Sequence, residues 1–80
     1  NSASLSSNQI NTLLLSPAIA NQITPSLINS GALPNVDINI YNNSTASQKA
    51  AYNAQIASKI ANGDQNLTQI ASNALTDLGY

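Results

Sequence analysis

The sequence predicts a mainly α fold: short N-terminal helices, one β-strand near 35–41 and a C-terminal antiparallel helical hairpin. Three observations predict it. Apolar residues recur at i, i+3, i+4 spacing over most of the chain. Helix start and stop signals punctuate it, Ser16-Pro17 and Asn62-Gly63-Asp64 among them. Only residues 35–41 switch to a period of two. The 80 residues make one small domain, with helical segments in 1–34, the strand in 35–41 and the hairpin in 44–79.

Residues 1–8 are rich in Ser and Asn, with Leu5 as the only large apolar residue, and either fray or open a helix. Residues 9–15 carry Ile10, Leu13 and Leu14, one helical stripe. Ser16 is a good N-cap, and Pro17 suits the first helical position. Thr24-Pro25 repeats the device, so residues 16–31 are expected as two short helical turns with a bend between them. Gly31 is placed to end the second, with Pro34 as a stop.

In residues 35–41, Val36, Ile38 and Ile40 alternate with Asp37, Asn39 and Tyr41, the pattern of a half-buried strand. Asn42-Asn43 then reads as a turn, and Ser44 or Thr45 as the cap of the next helix. That helix, expected over 45–62, has a row of small residues: Ala46, Ala50, Ala54, Ala57 and Ala61. Tyr52, Ile56 and Ile60 lie beside the row. Asn62-Gly63 ends the helix and Asp64 caps the last one. There Leu67, Ile70, Ala71, Ala74, Leu75 and Leu78 form the cleanest apolar stripe in the chain. A connection as short as residues 62–64 favours an antiparallel pair.

Composition argues against whole classes of function. His and Cys are absent, and the only carboxylate side chains are Asp37, Asp64 and Asp77, far apart in sequence. A metal centre lacks its usual ligands, and a Ser nucleophile lacks a base. A calcium site on Asn35, Asp37 and Asn39 lacks a bidentate acid. Two lysines cannot neutralise a phosphate backbone. The expectation is a protein that is not an enzyme, with no cofactor, no nucleic acid, no membrane span and no small-molecule ligand.

What the chain has is polarity without charge. Asn, Ser, Gln and Thr make up 35 of the 80 residues, and only five are charged. An ordinary soluble domain is about a quarter charged. Mixed surface charge keeps monomers apart, whereas exposed amides and hydroxyls pair with copies of themselves. Eighteen Leu and Ile at regular spacing also argue against a disordered spacer. The chain starts at Asn1 and contains no Met. A start methionine before Asn is poorly removed, so the N-terminus is expected to arise by cleavage of a secretory signal, giving an extracellular or cell-surface protein. Asn42, Asn43 and Asn66 each open an Asn-X-Ser/Thr triplet and are candidate glycosylation sites.

The stretch Ser26-Leu27-Ile28-Asn29-Ser30-Gly31-Ala32-Leu33, within helices of Ala, Ser, Asn and Leu, resembles the helical domains of spider silk proteins. The resemblance is short and largely compositional. Those domains are longer, and they are helical where a strand is predicted here, so it gives no family assignment and implies only a structural role.

A chain of this size usually needs disulfides, a metal or self-association to be stable, and the first is impossible here. The sequence therefore points to a secreted structural subunit that assembles with copies of itself into a filament or fibre. The expected interface is Val36, Ile38, Ile40 and Tyr41 on the strand edge, with Ala50, Ala54, Ala57 and Tyr80. The alternative is a small secreted binding or adhesion module that docks a partner through the same strand edge or Ala face.

Overall fold

A computed structural model describes residues 5–80, and among them every regular element is helical. The order is α1 (Ser7–Leu14), α2 (Pro17–Asn29), α3 (Ile38–Asn42), α4 (Ala46–Ala61) and α5 (Gln65–Asp77). All five contribute to one core. Ile10, Ile23, Leu27, Ile56, Ile60 and Leu75 are its large, fully buried aliphatic side chains. Residues 1–4 lie outside the described residues, as does that part of the expected N-terminal segment.

The helix boundaries follow from local chemistry. Ser6 and Thr45 each cap a helix by a reciprocal pair of bonds. The Ser6 hydroxyl accepts from the Gln9 N–H at 3.2 Å, while the Gln9 side chain accepts from the Ser6 N–H at 2.8 Å. Thr45 and Gln48 repeat this at 3.2 and 2.9 Å. Asp64 caps α5 by accepting from the Leu67 N–H at 2.9 Å. At the end of α4, Gly63 takes φ +96, which an L side chain resists. Its N–H donates to the Ile60 carbonyl at 3.1 Å, and the Asp64 N–H donates to the Lys59 carbonyl at 3.1 Å. These two bonds form a Schellman turn. Asp64 thus closes α4 with its backbone and opens α5 with its side chain.

The expected strand is a correction. Residues 35–41 form no strand; Ile38–Asn42 is the short helix α3. Asp37, assigned to the polar face of a strand, is its N-cap and accepts from the Ile40 N–H at 2.8 Å. A lone strand leaves its backbone groups without partners, whereas a capped helical turn satisfies them locally. Val36 just before the cap and Tyr41 in the turn both pack into the core. The alternation of Val36, Ile38 and Ile40 is therefore real in sequence but does not set the backbone.

Two smaller expectations also change. The two separate turns expected on either side of Thr24-Pro25 are one helix, and α2 runs through both residues. Pro25 removes the bond that its N–H would have made to Asn21. Burial of Ala20, Ile23, Thr24, Leu27 and Ile28 along one face offsets that loss. In α5, Leu67 and Leu75 are buried and Ile70 is half-buried. Leu78 is 46% exposed, because it is the C-cap, where the chain turns away from the helix axis.

Candidate functional site

Beneath α2, α3 and α4 the core is polar. Asn53 lies on the α4 face that also carries Ile56 and Ile60, and all three are buried. Its Oδ1 accepts from the Thr24 hydroxyl at 2.7 Å and lies 3.0 Å from the Tyr41 hydroxyl. Its Nδ2 donates to Asn21 Oδ1 at 2.9 Å, which is also 3.0 Å from the Tyr41 hydroxyl. The single Tyr41 proton is thus shared between two amide oxygens. Burial pushes the Tyr41 pKa up from its ordinary value, and hydrogen bonding to Thr24 and Asn53 opposes part of that rise. The Lys49 ammonium sits 5.6 Å above the Tyr41 ring. Tyr52 packs against it at 6.1 Å between ring centroids. The cluster offers neither a general base nor a nucleophile with a base beside it, and its role is to lock three helices together.

The flank of α4 beside Asn53, which itself lines the edge, borders solvent. Ala50, Ala54 and Ala57 are the small-residue row, and a methyl group cannot fill the space between α4 and the α1–α2 junction. A groove of about 550 Å³ remains there. Its walls are Leu14, Leu15 and Pro17, and its lining carries no charged side chain. Leu15 is 81% exposed, the most exposed large apolar side chain among the described residues. Its backbone is still helical, at φ −66 and ψ −23, and its position around the helix points it away from the side of Ile10 and Leu14. Asn11 also lines the groove, and its buried Oδ1 finds no donor among the described residues.

A second hollow, about 400 Å³, lies on the other flank of α1 between Leu5, Asn8, Gln9, Thr12, Leu13 and Tyr80. It too has no charged side chain. The two hollows share no lining residue, and on α1 they adjoin where Asn8 and Thr12 lie within a turn of Asn11 and Leu15.

The structure sorts the expected interface residues accordingly. It brings Ala50, Ala54 and Ala57 together in the groove, and it leaves Tyr80, 52% exposed, in the second hollow. Val36 and Ile38 are half-buried and Ile40 is 45% exposed, on a helical turn rather than a strand edge. Tyr41, 1% exposed, is a core residue and cannot meet a partner directly. Asn42, Asn43 and Asn66 are exposed, the first two at the end of α3 and the third in the first turn of α5.

Sequence reasoning missed Leu15 and the polar cluster. Both had a signal. Leu15 is the one member of Leu13–Leu14–Leu15 that falls outside the Ile10 stripe. Asn53 occupies a stripe position of α4, and an amide on an apolar face needs buried partners.

Among the described residues no helix is long and apolar enough to cross a membrane, and no group of three or more acidic, Cys or His side chains could hold a metal ion. No family model, curated protein or solved structure matches the chain.

Proposed function

We propose that this protein is a non-catalytic structural subunit that self-associates through its two uncharged surfaces into an extracellular filament or fibre. The observation that carries the reading is the groove beside α4. There an aliphatic side chain held almost wholly in solvent stands next to a row of alanines, with no charge in the lining. Burying Leu15 in a copy's groove would gain about 1.5–3 kcal/mol per side chain. A donor from that copy would also gain by reaching Asn11 Oδ1. Two different surfaces are what a linear assembly needs: one pairs two copies, and the second continues the chain of contacts. The helical turn at 38–42 removes strand pairing as the means of propagation, so assembly rests on helical faces.

The proposal is tested by light scattering over a concentration series, followed by negative-stain imaging of the largest species. Growth of regular particles with concentration, little changed by NaCl, is expected, since screening acts on charge pairs. Dissociation by moderate NaCl would contradict an apolar and amide interface. The exposed triplets at Asn42, Asn43 and Asn66 fit passage through a secretory route, and intact mass of the natural material tests that part.

A further inference from the structure

We propose that Asn62-Gly63 is a site of spontaneous covalent modification, and that the α4–α5 turn holds its chemistry closed. It is the only Asn-Gly pair in the chain. In such a pair the backbone nitrogen of Gly63 can attack Asn62 Cγ, because glycine adds no side chain to hinder the approach. The nitrogen gives up its proton and the new N–Cγ bond forms a five-membered imide. The Cγ–Nδ2 bond breaks and Nδ2 leaves as ammonia. Solvent water then opens the imide at either carbonyl, leaving Asp or an isoaspartyl linkage at position 62. No other reactant is needed.

The structure exposes Asn62 to solvent water but blocks the first step twice. Asn62 has φ −83 and ψ 2. At that ψ the Gly63 nitrogen is swung well away from the side-chain direction, whereas ring closure needs Cβ and that nitrogen nearly eclipsed about the Cα–C bond. The Gly63 N–H is also committed to the Ile60 carbonyl at 3.1 Å. Reaction therefore requires the turn to open, which breaks the Gly63 and Asp64 backbone bonds together. Local opening of this kind is rarer than in the unfolded chain, so it sets the rate.

The product alters the property on which self-association depends. It adds a negative charge to a chain whose net charge is −1, at a helix C-terminus where a negative charge is unfavourable. An isoaspartyl linkage also adds a methylene to the backbone, which changes the spacing between the Gly63 and Asp64 donors and the carbonyls they meet in the Schellman turn. Each copy thus carries a slow, irreversible conversion from a nearly neutral subunit to a more acidic one.

The test is peptide mapping of the full chain after incubation at neutral pH, folded and in denaturant, with the amide-to-acid mass gain and isoaspartyl content read at each Asn. In denaturant, Asn62 should react faster than Asn43, which precedes Ser44. In the folded chain, Asn62 should slow by about tenfold or more. Equal rates folded and unfolded, or no preference for Asn62 in denaturant, would overturn the proposal. Asp64→Ala loosens the turn by removing the α5 cap. It should speed Asn62 without speeding Asn43. No change at Asn62, or equal acceleration of both, would refute a local gate.

Discussion

The core has two unlike parts, and they do different jobs. Around α5, Ile56, Ile60, Leu67, Ala71 and Leu75 belong to the apolar core, with the buried Ser72 hydroxyl satisfied by the Leu5 N–H at 2.9 Å. Beneath α3, the Thr24, Tyr41 and Asn53 side chains fill buried space with hydrogen bonds, and the exposed Asn21 closes the network at its edge. The apolar part supplies burial, which has no direction and tolerates many arrangements. The polar part supplies few favourable kcal/mol but heavily penalises any arrangement that leaves a donor or acceptor alone. A chain with so many amides and so few charges needs that second device, because amides that pair with anything must be told what to pair with.

The comparison can be broken most severely on the apolar side. Leu75→Ala deletes a side chain with no exposed surface and is expected to cost about 2–5 kcal/mol, read from the urea midpoint at unchanged slope. Next comes the polar side. Asn53→Ala leaves Thr24, Tyr41 and Asn21 short of a partner and is expected to cost about 1–3 kcal/mol. A double-mutant cycle of Asn53→Ala with Tyr41→Phe should show coupling of about 0.5–3 kcal/mol, whereas Leu75→Ala and Tyr41→Phe should be closer to additive.

Titration distinguishes the two parts again. Tyr41 has its pKa raised in the fold, mainly by burial. Its contribution is fully present below the ordinary tyrosine value of 10.0 and is lost as pH climbs from there through the raised folded value. Thermal melts of the natural chain should therefore fall above pH 10 by more than those of Tyr41→Phe. Equal falls would mean that Tyr41 is not held neutral by its surroundings. The smallest effect is expected at Leu78→Ala, within about 0.5 kcal/mol, because Leu78 is at the helix end and 46% exposed.

These contrasts explain what could be read from residues alone. The ends of α4 and α5 were legible because caps and stripe agree: Thr45, Gly63 and Asp64 mark ends that the apolar spacing also marks. The segment at 35–41 was not, because two signals conflict. Val36, Ile38 and Ile40 alternate as in a strand, while Asp37 has the same relation to Ile40 that Asp64 has to Leu67. Without a partner strand the cap prevails, and that depends on the rest of the fold. The Ala row was legible as a close-packing face, but the sequence could not show that its neighbour is the α1–α2 junction with Leu15 beside it. Tyr41 was expected at a surface because alternation put it there; the turn of α3 carries it inward to Asn53.

Sedimentation velocity of the natural chain and of Leu15→Lys across the same concentrations decides whether the groove beside α4 joins copies. Leu15 is 81% exposed, so the substitution should leave the helical spectrum and melting temperature nearly unchanged. The natural chain is expected to gain mass with concentration and the variant to remain monomeric far longer, through loss of apolar burial and the cost of burying an ammonium in an uncharged groove. A natural chain that stays monomeric throughout, or a variant that assembles equally well, would contradict it.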